Sequence, residues 1–299
     1  MQTPENRYDQ LTDRVSALYD EGLQQVALDL LDTADAELQP WTAELAHLRA
    51  CLLGSIGEST QALVALQQAS EAGGWWEESI LTEDDDLTAL QYLPAFQAIV
   101  ELSRARKVVA EDPPLIALPE SGKPGGVVVA LHGAGQRATH AMRDWAGVLD
   151  LGYALVGVES SQLMSPMYRT WPDPAQSAKD VARALDHLPA ELRDLPLIAA
   201  GFSAGGRIAL NWALEAEPVP TAGVVVVGPA LRVLPEQAQQ PLAPATILIG
   251  TADELLEVVD DAAARLTSFG ITIERVPGLA HEFPQDFAAR LGSVLPSCG

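Results

Sequence analysis

Two textures of apolar and polar positions divide the chain. Up to about residue 105 the apolar residues recur at helical spacing, interrupted by glycines; from residue 127 onward, short unbroken apolar runs alternate with amphipathic stretches. The runs Val127–Leu131, Tyr153–Val158, Leu197–Ala200, Val224–Val227, Thr246–Ile249 and Ile271–Val276 predict strands, and the stretches near 137–149, 175–188, 205–215, 255–268 and 284–295 predict helices. Strands that are apolar on both faces and joined by helices form a parallel sheet covered on both sides. The expected fold class is therefore α/β: a doubly wound, mostly parallel sheet, with one or two antiparallel edge strands drawn from residues 107–118. Prolines and glycines crowd residues 111–125 and separate an all-α helical domain over residues 1–105 from an α/β domain over residues 106–299.

The helical part repeats. A shift of 35 positions carries Gly22 onto Gly57, Ala27 onto Ala62, Leu28 onto Leu63, Leu31 onto Leu66 and Ala34 onto Ala69, with Leu18 landing on Leu53 one turn before the glycine. Small and apolar residues at helical spacing around a glycine turn describe a helix–turn–helix unit used twice. The period and pattern resemble a tetratricopeptide repeat, with two units and several consensus positions missing. Two such units bury little on their own, so the helical stretch Leu87–Arg106 is expected to cap the stack or to dock it onto the α/β domain. The acidic run Glu83-Asp84-Asp85-Asp86 reads as a helix N-terminus facing its dipole rather than as a metal site.

Composition narrows the partners. Of 299 residues 48% are hydrophobic, and 18 bases stand against 41 acids, a net charge of −23. Such a chain repels phosphate backbones and anionic lipid, so neither nucleic acid nor a membrane surface is an expected partner. The excess runs through both parts: the first 110 residues carry 19 acids and 6 bases, the remainder 22 and 12. Two cysteines, Cys51 and Cys298, make no disulfide framework, and nothing beside them in sequence reads as a metal clip. The start, Met1-Gln2-Thr3-Pro4-Glu5, is polar and no run approaches 18 apolar residues, so the expectation is a cytoplasmic protein without a membrane span.

In a doubly wound sheet the chemistry lies beyond the carboxyl ends of the strands. After Leu197–Ala200 comes Gly201-Phe202-Ser203-Ala204-Gly205, a G-x-S-x-G turn from strand to helix. The glycines allow a sharp turn that lifts the Ser203 hydroxyl out of the sheet and aims the Ala204 N–H at the place where an oxyanion would form. A serine needs a base, and the base needs an orienting acid. Of the histidines at 47, 132, 140, 187 and 281, only His281 comes after Ser203, in the loop Pro277–Pro284. His47 and His187 fall in helical contexts and read as structural. Asp253, in Gly250-Thr251-Ala252-Asp253-Glu254 after the strand Thr246–Ile249, is the expected acid, with Glu254 the alternate and a helix cap the competing role for Asp253. The loop His132-Gly133-Ala134-Gly135-Gln136 after Val127–Leu131 offers a second oxyanion donor, the Ala134 amide or that of Gly135, with His132 a structural part of the loop.

His132-Gly133, Gly201–Gly205, Asp253 and His281 together resemble the α/β-hydrolase superfamily over about residues 107–299. The short helix-linked sheet and the ending His281-Glu282-Phe283-Pro284 are similar to its phospholipase/carboxylesterase and dienelactone-hydrolase-like branch. That resemblance implies a Ser203–His281–Asp253 triad, acyl transfer to water and no cofactor. It also implies a substrate-binding role for Trp171, in Trp171-Pro172-Asp173, which departs from the branch in the proline; simple packing of the loop is the alternative. Only about Ala230–Ala245 stands where a lid would be inserted, so esters of small to medium acyl chain are the expected substrates. Phospholipase or thioesterase activity is the alternative, as is a helical-repeat interaction protein with an accessory hydrolase half. The N-terminal helices are expected to offer a surface to a protein partner or a second copy.

One motif competes. Gly133-x-Gly135-x-x-Ala138, with Glu159 at the end of the next strand, matches a dinucleotide-binding fingerprint. It leaves Gly201–Gly205, Asp253 and His281 unused, and no third unit brings further dinucleotide contacts. Metal-dependent hydrolysis is not expected either, because His281-Glu282 lacks the second histidine of H-E-x-x-H.

Overall fold

The computed structural model describes residues 3–34 and 36–297, so Cys298 lies outside the described residues. The chain divides into two compact units, one made of Met1–Val109 with Leu163–Tyr168 and the other of Ala110–Gln162 with Arg169–Gly299.

In the first unit α1 (Pro4–Asp20) and α2 (Gln24–Leu31), then α3 (Thr42–Ser55) and α4 (Ser59–Glu71), form two helix–turn–helix pairs. Positions that repeat in sequence repeat in burial: Leu18, Ala27 and Leu31 in the first pair, Leu53, Ala62 and Leu66 in the second. α5 (Glu78–Thr82) and α6 (Pro94–Arg106) complete the unit. The helix expected over Leu87–Arg106 is broken: a 3-10 turn covers Asp85–Leu90, and α6 begins only at Pro94. Proline holds the residue before it extended and takes the first helical position, where its missing N–H removes no bond. Arg106 caps α4, its Nη1 donating to the Ser70 and Gly74 carbonyls at 2.6 and 2.9 Å. The segment Leu163–Tyr168 is tied in by buried Glu44, whose Oε1 accepts from the Ser165 hydroxyl at 2.5 Å and the Met167 N–H at 2.7 Å.

The second unit is a sheet of β1 (Leu115–Ala117), β2 (Gly126–Leu131), β3 (Tyr153–Val158), β4 (Leu197–Phe202), β5 (Gly223–Val227), β6 (Ala245–Gly250) and β7 (Thr272–Val276). The order is β1-β3-β2-β4-β5-β6-β7, with β1 antiparallel to β3 and the other pairs parallel. Its helices are α7 (Ala138–Asp144), α8 (Pro174–Asp186), α9 (Ser203–Glu215), α10 (Leu256–Asp261), α11 (Ala263–Ser268) and α12 (Phe287–Val294). The stretch near 255–268 is thus two helices meeting at Ala262 rather than one.

Alternation along β2 explains the layering. Val127, Val129 and Leu131 pack with Val181 of α8, Leu210 of α9 and Leu266 of α11, while Val128 and Ala130 pack with Ala141 of α7 and Leu291 of α12. Both faces are dry from β2 to β6, which is why those strands carry apolar runs, whereas the edge strand β7, Thr272-Ile273-Glu274-Arg275-Val276, is buried only at Val276. The winding reverses between β2 and β4, since β3 lies on one side of β2 and the later strands extend on the other. The connections leaving β2 and β4 therefore diverge and open a crevice at their carboxyl ends.

Candidate active site

β4 runs directly into α9 through Gly201-Phe202-Ser203-Ala204-Gly205. Ser203 holds φ +52, a left-handed conformation unfavourable to a side chain. The neighbours impose it: a Cβ on Gly205 would stand 2.3 Å from the His132 carbonyl oxygen, and one on Gly201 2.6 Å from the Gly205 backbone. The hydroxyl of Ser203 lies 2.9 Å from His281 Nε2. On its other side the imidazole meets Asp253, with Nδ1 at 2.9 Å from Oδ2 and 3.1 Å from Oδ1. Nδ1–H donating to Asp253 leaves Nε2 as the acceptor that faces the serine.

Each partner is held from behind. Asp253 comes just after β6, is buried, and its Oδ1 also accepts the Leu255 N–H at 2.8 Å; that bond is a local turn, because the N-cap of α10 is Leu255, so the helix-cap role is not the one Asp253 plays. Glu254, beside it, is exposed. The loop of His281 rests on aromatic rings: Phe202 lies 4.8 Å from the imidazole and 4.9 Å from Phe283, which meets Trp145 and Phe287 edge to face. Gly228, just past β5, closes the third side at φ +48, where a Cβ would stand 3.0 Å from Asp253 Oδ2 and 3.1 Å from the His281 ring. The sequence reading missed Gly228; its signal was a Gly-Pro step at the carboxyl end of an apolar strand.

The loop after β2 faces this group. The Ala204 N–H is in the first turn of α9, where amides have no intrahelical acceptor. Gly135 donates its N–H to the Arg169 carbonyl at 2.8 Å, whereas the Ala134 N–H has no protein acceptor among the described residues. His132 is fully buried; its Nδ1 donates to the Gly133 carbonyl at 2.8 Å and its Nε2 accepts the Ser160 N–H at 3.3 Å. Burial drives its pKa down to about 3, assisted by the charges of Arg169 and Arg137, so it stays neutral and structural.

Trp171, expected in a substrate pocket, has no exposed surface. Its indole N–H donates to the His132 carbonyl at 2.8 Å, and its own carbonyl accepts from Arg207 Nη2 at 2.6 Å. The role is corrected accordingly: the indole braces the loop from behind, because a large flat ring with one donor satisfies a carbonyl that the tight turn leaves without a backbone partner. Glu159 is also placed differently from the competing motif's ribose ligand. Its Oε2 accepts the Ala138 N–H at 3.2 Å at the start of α7, and Oε1 lies 3.2 Å from Arg169 Nε and 3.6 Å from Arg137 Nε. Burial pushes the Glu159 carboxyl up, against the two guanidinium groups. Arg169, Arg207 and Glu159 brace the loop and were not legible as such, since they meet it only through the fold.

Two family models match the chain. Residues 7–111 match "A/B hydrolase-like, N-terminal domain", and residues 122–243 match "Serine aminopeptidase, S33". An uncharacterized protein from Bacillus cereus is similar over 96% of both chains, at 22% identity and a TM-score of 0.51. The esterase PE8 is similar over 62% of this chain and 100% of its own, at 21% identity and a TM-score of 0.52. No curated protein matches the chain. The fold is that of the α/β-hydrolases, and the family matches support a hydrolase of that superfamily. Among the described residues no helix is long and apolar enough to cross a membrane.

Proposed function

We propose that this α/β-hydrolase-fold protein is a serine hydrolase that cleaves carboxylic esters of small to medium acyl chain through an acyl-enzyme. The observation that carries the reading is the relay Ser203–His281–Asp253, with 2.9 Å on either side of the imidazole, set on the turns after β4, β7 and β6. His281 Nε2 takes the hydroxyl proton as Ser203 Oγ attacks the ester carbonyl, and Asp253 stabilises the imidazolium. The Ala204 and Ala134 amides hold the oxyanion, each worth about 3 kcal/mol in the transition state. His281 then protonates the leaving alkoxide, and a water activated by the same nitrogen releases the acid. The serine proton thus leaves with the alcohol, a proton of the attacking water replaces it on Ser203 Oγ by way of His281, and the chemistry calls for no cofactor.

The absence of helix or strand among residues 228–244 supports an unlidded site on the sheet unit and hence modest acyl groups. The test is hydrolysis of p-nitrophenyl esters of rising acyl length by the wild type and Ser203→Ala, with fluorophosphonate labelling mapped by mass spectrometry. Turnover retained by Ser203→Ala, or an adduct on another residue, overturns the assignment. The matched family description names an aminopeptidase, so aminoacyl p-nitroanilides belong in the same series; faster cleavage of these than of the esters would replace esterase by aminopeptidase.

A further inference from the structure

The helical unit contains a second group of chemically able side chains that the proposed hydrolysis does not use. His47 and Cys51 stand one helical turn apart on α3, an i, i+4 pair on one face, and Asp84 reaches them from the start of the 3-10 turn Asp85–Leu90. Cys51 Sγ lies 3.5 Å from His47 Nε2 and 3.2 Å from Asp84 Oδ2, and His47 Nε2 lies 3.5 Å from the same carboxylate oxygen. Among the described residues this is the one group of three or more His, Cys and acid side chains drawn this close together.

We propose that His47, Cys51 and Asp84 form a binding site for a zinc-class divalent ion. The argument is geometric. Around tetrahedral zinc, with bonds of about 2.0–2.3 Å, ligand atoms are separated by about 3.3–3.6 Å. The three separations here, 3.2, 3.5 and 3.5 Å, match the edges of a face of that tetrahedron; Sγ also lies 3.8 Å from His47 Nδ1, so the imidazole turns on binding to aim Nε2 at the ion. Thiolate, imidazole and carboxylate together select zinc or its transition-metal neighbours over magnesium or calcium. The His47 and Asp84 side chains are 20% and 26% exposed, so an ion can enter and its fourth position can take water. In the metal-free protein His47 Nε2 donates to the Ile80 carbonyl at 3.2 Å.

The proton balance is defined. The Cys51 S–H, which donates to Asp84 in the metal-free protein, is released to solvent when the metal–sulfur bond forms. The imidazole proton that faces Ile80 moves to Nδ1, freeing Nε2 for the ion. The neighbouring acids Glu83, Asp85 and Asp86 supply a field that favours the cation.

The test uses the full chain in a Cys298→Ser background, which leaves Cys51 as the only thiol, stripped with a chelator and titrated with Co2+ chloride. The expected result is one equivalent bound, with a thiolate-to-cobalt charge-transfer band and the strong visible bands of four-coordination, displaced by Zn2+. Cys51→Ser removes the charge-transfer band, and Asp84→Asn weakens binding by at least about 10-fold. A titration without that band, or one unaltered by Cys51→Ser, overturns the site. Zn2+ slowing the modification of Cys51 by a thiol reagent is the second measurement, made without altering any ligand; an unchanged rate also overturns it.

Discussion

Each unit brings together a histidine, an aspartate and a sulfur or oxygen nucleophile, and the two arrangements differ in connectivity. At Ser203–His281–Asp253 the imidazole lies between its partners and uses a different nitrogen for each. At Cys51–His47–Asp84 Nε2 lies 3.5 Å from both partners, Nδ1 is a further 3.8 Å contact of the sulfur, and the cysteine and aspartate also touch each other. The first is a line, along which a proton can pass; the second is a closed triangle of three polar atoms, each within 3.5 Å of the other two. Burial and Asp84 raise the Cys51 pKa well above the ordinary thiol range, so without a metal the sulfur keeps its proton. The backbones differ too: Ser203 is forced to φ +52 by close-packed glycines, while His47 and Cys51 sit on an ordinary helix. Residue type does not make a relay; which atom faces which does.

The largest separation between the two groups comes from removing the nucleophilic atoms in turn. Ser203→Ala lowers ester turnover by about 10^5-fold or more, while Cys51→Ala leaves it within about 2-fold, measured as initial rates on p-nitrophenyl butyrate. Next is the acid. Asp253→Asn drops kcat by about 10^4-fold by leaving the imidazole in the wrong tautomer, and the exposed neighbour Glu254→Gln changes it by less than about 2-fold. Loss in the second variant alone would transfer the role to Glu254. A smaller effect tests the packing that holds the line straight: Gly228→Ala presses a methyl against Asp253 and His281, so kcat falls by about 10-fold or more with the melting temperature lowered by a few degrees.

The mildest prediction concerns the loop beneath the relay. His132 has its pKa depressed to about 3 in the folded state, against about 6.5 when unfolded. The unfolded chain therefore binds the extra proton first. Stability from this group is complete above pH 6.5 and declines as pH falls toward 3, by about 1.4 kcal/mol per pH unit. Urea unfolding across that range gives the slope, and His132→Asn reduces it by about one proton; an unaltered slope would mean that His132 titrates normally.

The sheet was legible because its rules are local. Apolar runs of four to six residues from β2 to β6 state that both faces are buried, and the strand order then puts the glycine-flanked Ser203 where two connections diverge. The positions brought to Ser203 could be found because each comes just after its own strand: Asp253 after β6 and His281 after β7. Residues that act through long separations were not legible. His47 and Asp84 lie 37 positions apart and meet only because the chain turns back after α5, a helix the sequence did not announce. Trp171 was noticed as an aromatic beside a loop, but burial turned it into a brace, and Glu159 was noticed for a nucleotide motif that its bond to Ala138 takes out of use. The expected helix Leu87–Arg106 failed for a plainer reason, Pro94, whose effect the apolar periodicity masked.

The unit to which Leu163–Tyr168 belongs has a consequence for dissection of the gene. Those six residues are encoded between β3 and α8, yet the acid that accepts from Ser165 and Met167 is Glu44, more than a hundred codons upstream. A fragment starting at Ala110 would carry a loop whose donors have lost their carboxylate, and a fragment ending at Val109 would leave that carboxylate buried without them. The linear boundary that looks so convenient near the prolines is therefore no natural cutting point. Shuffling between relatives would have to move Glu44 and residues 163–168 together.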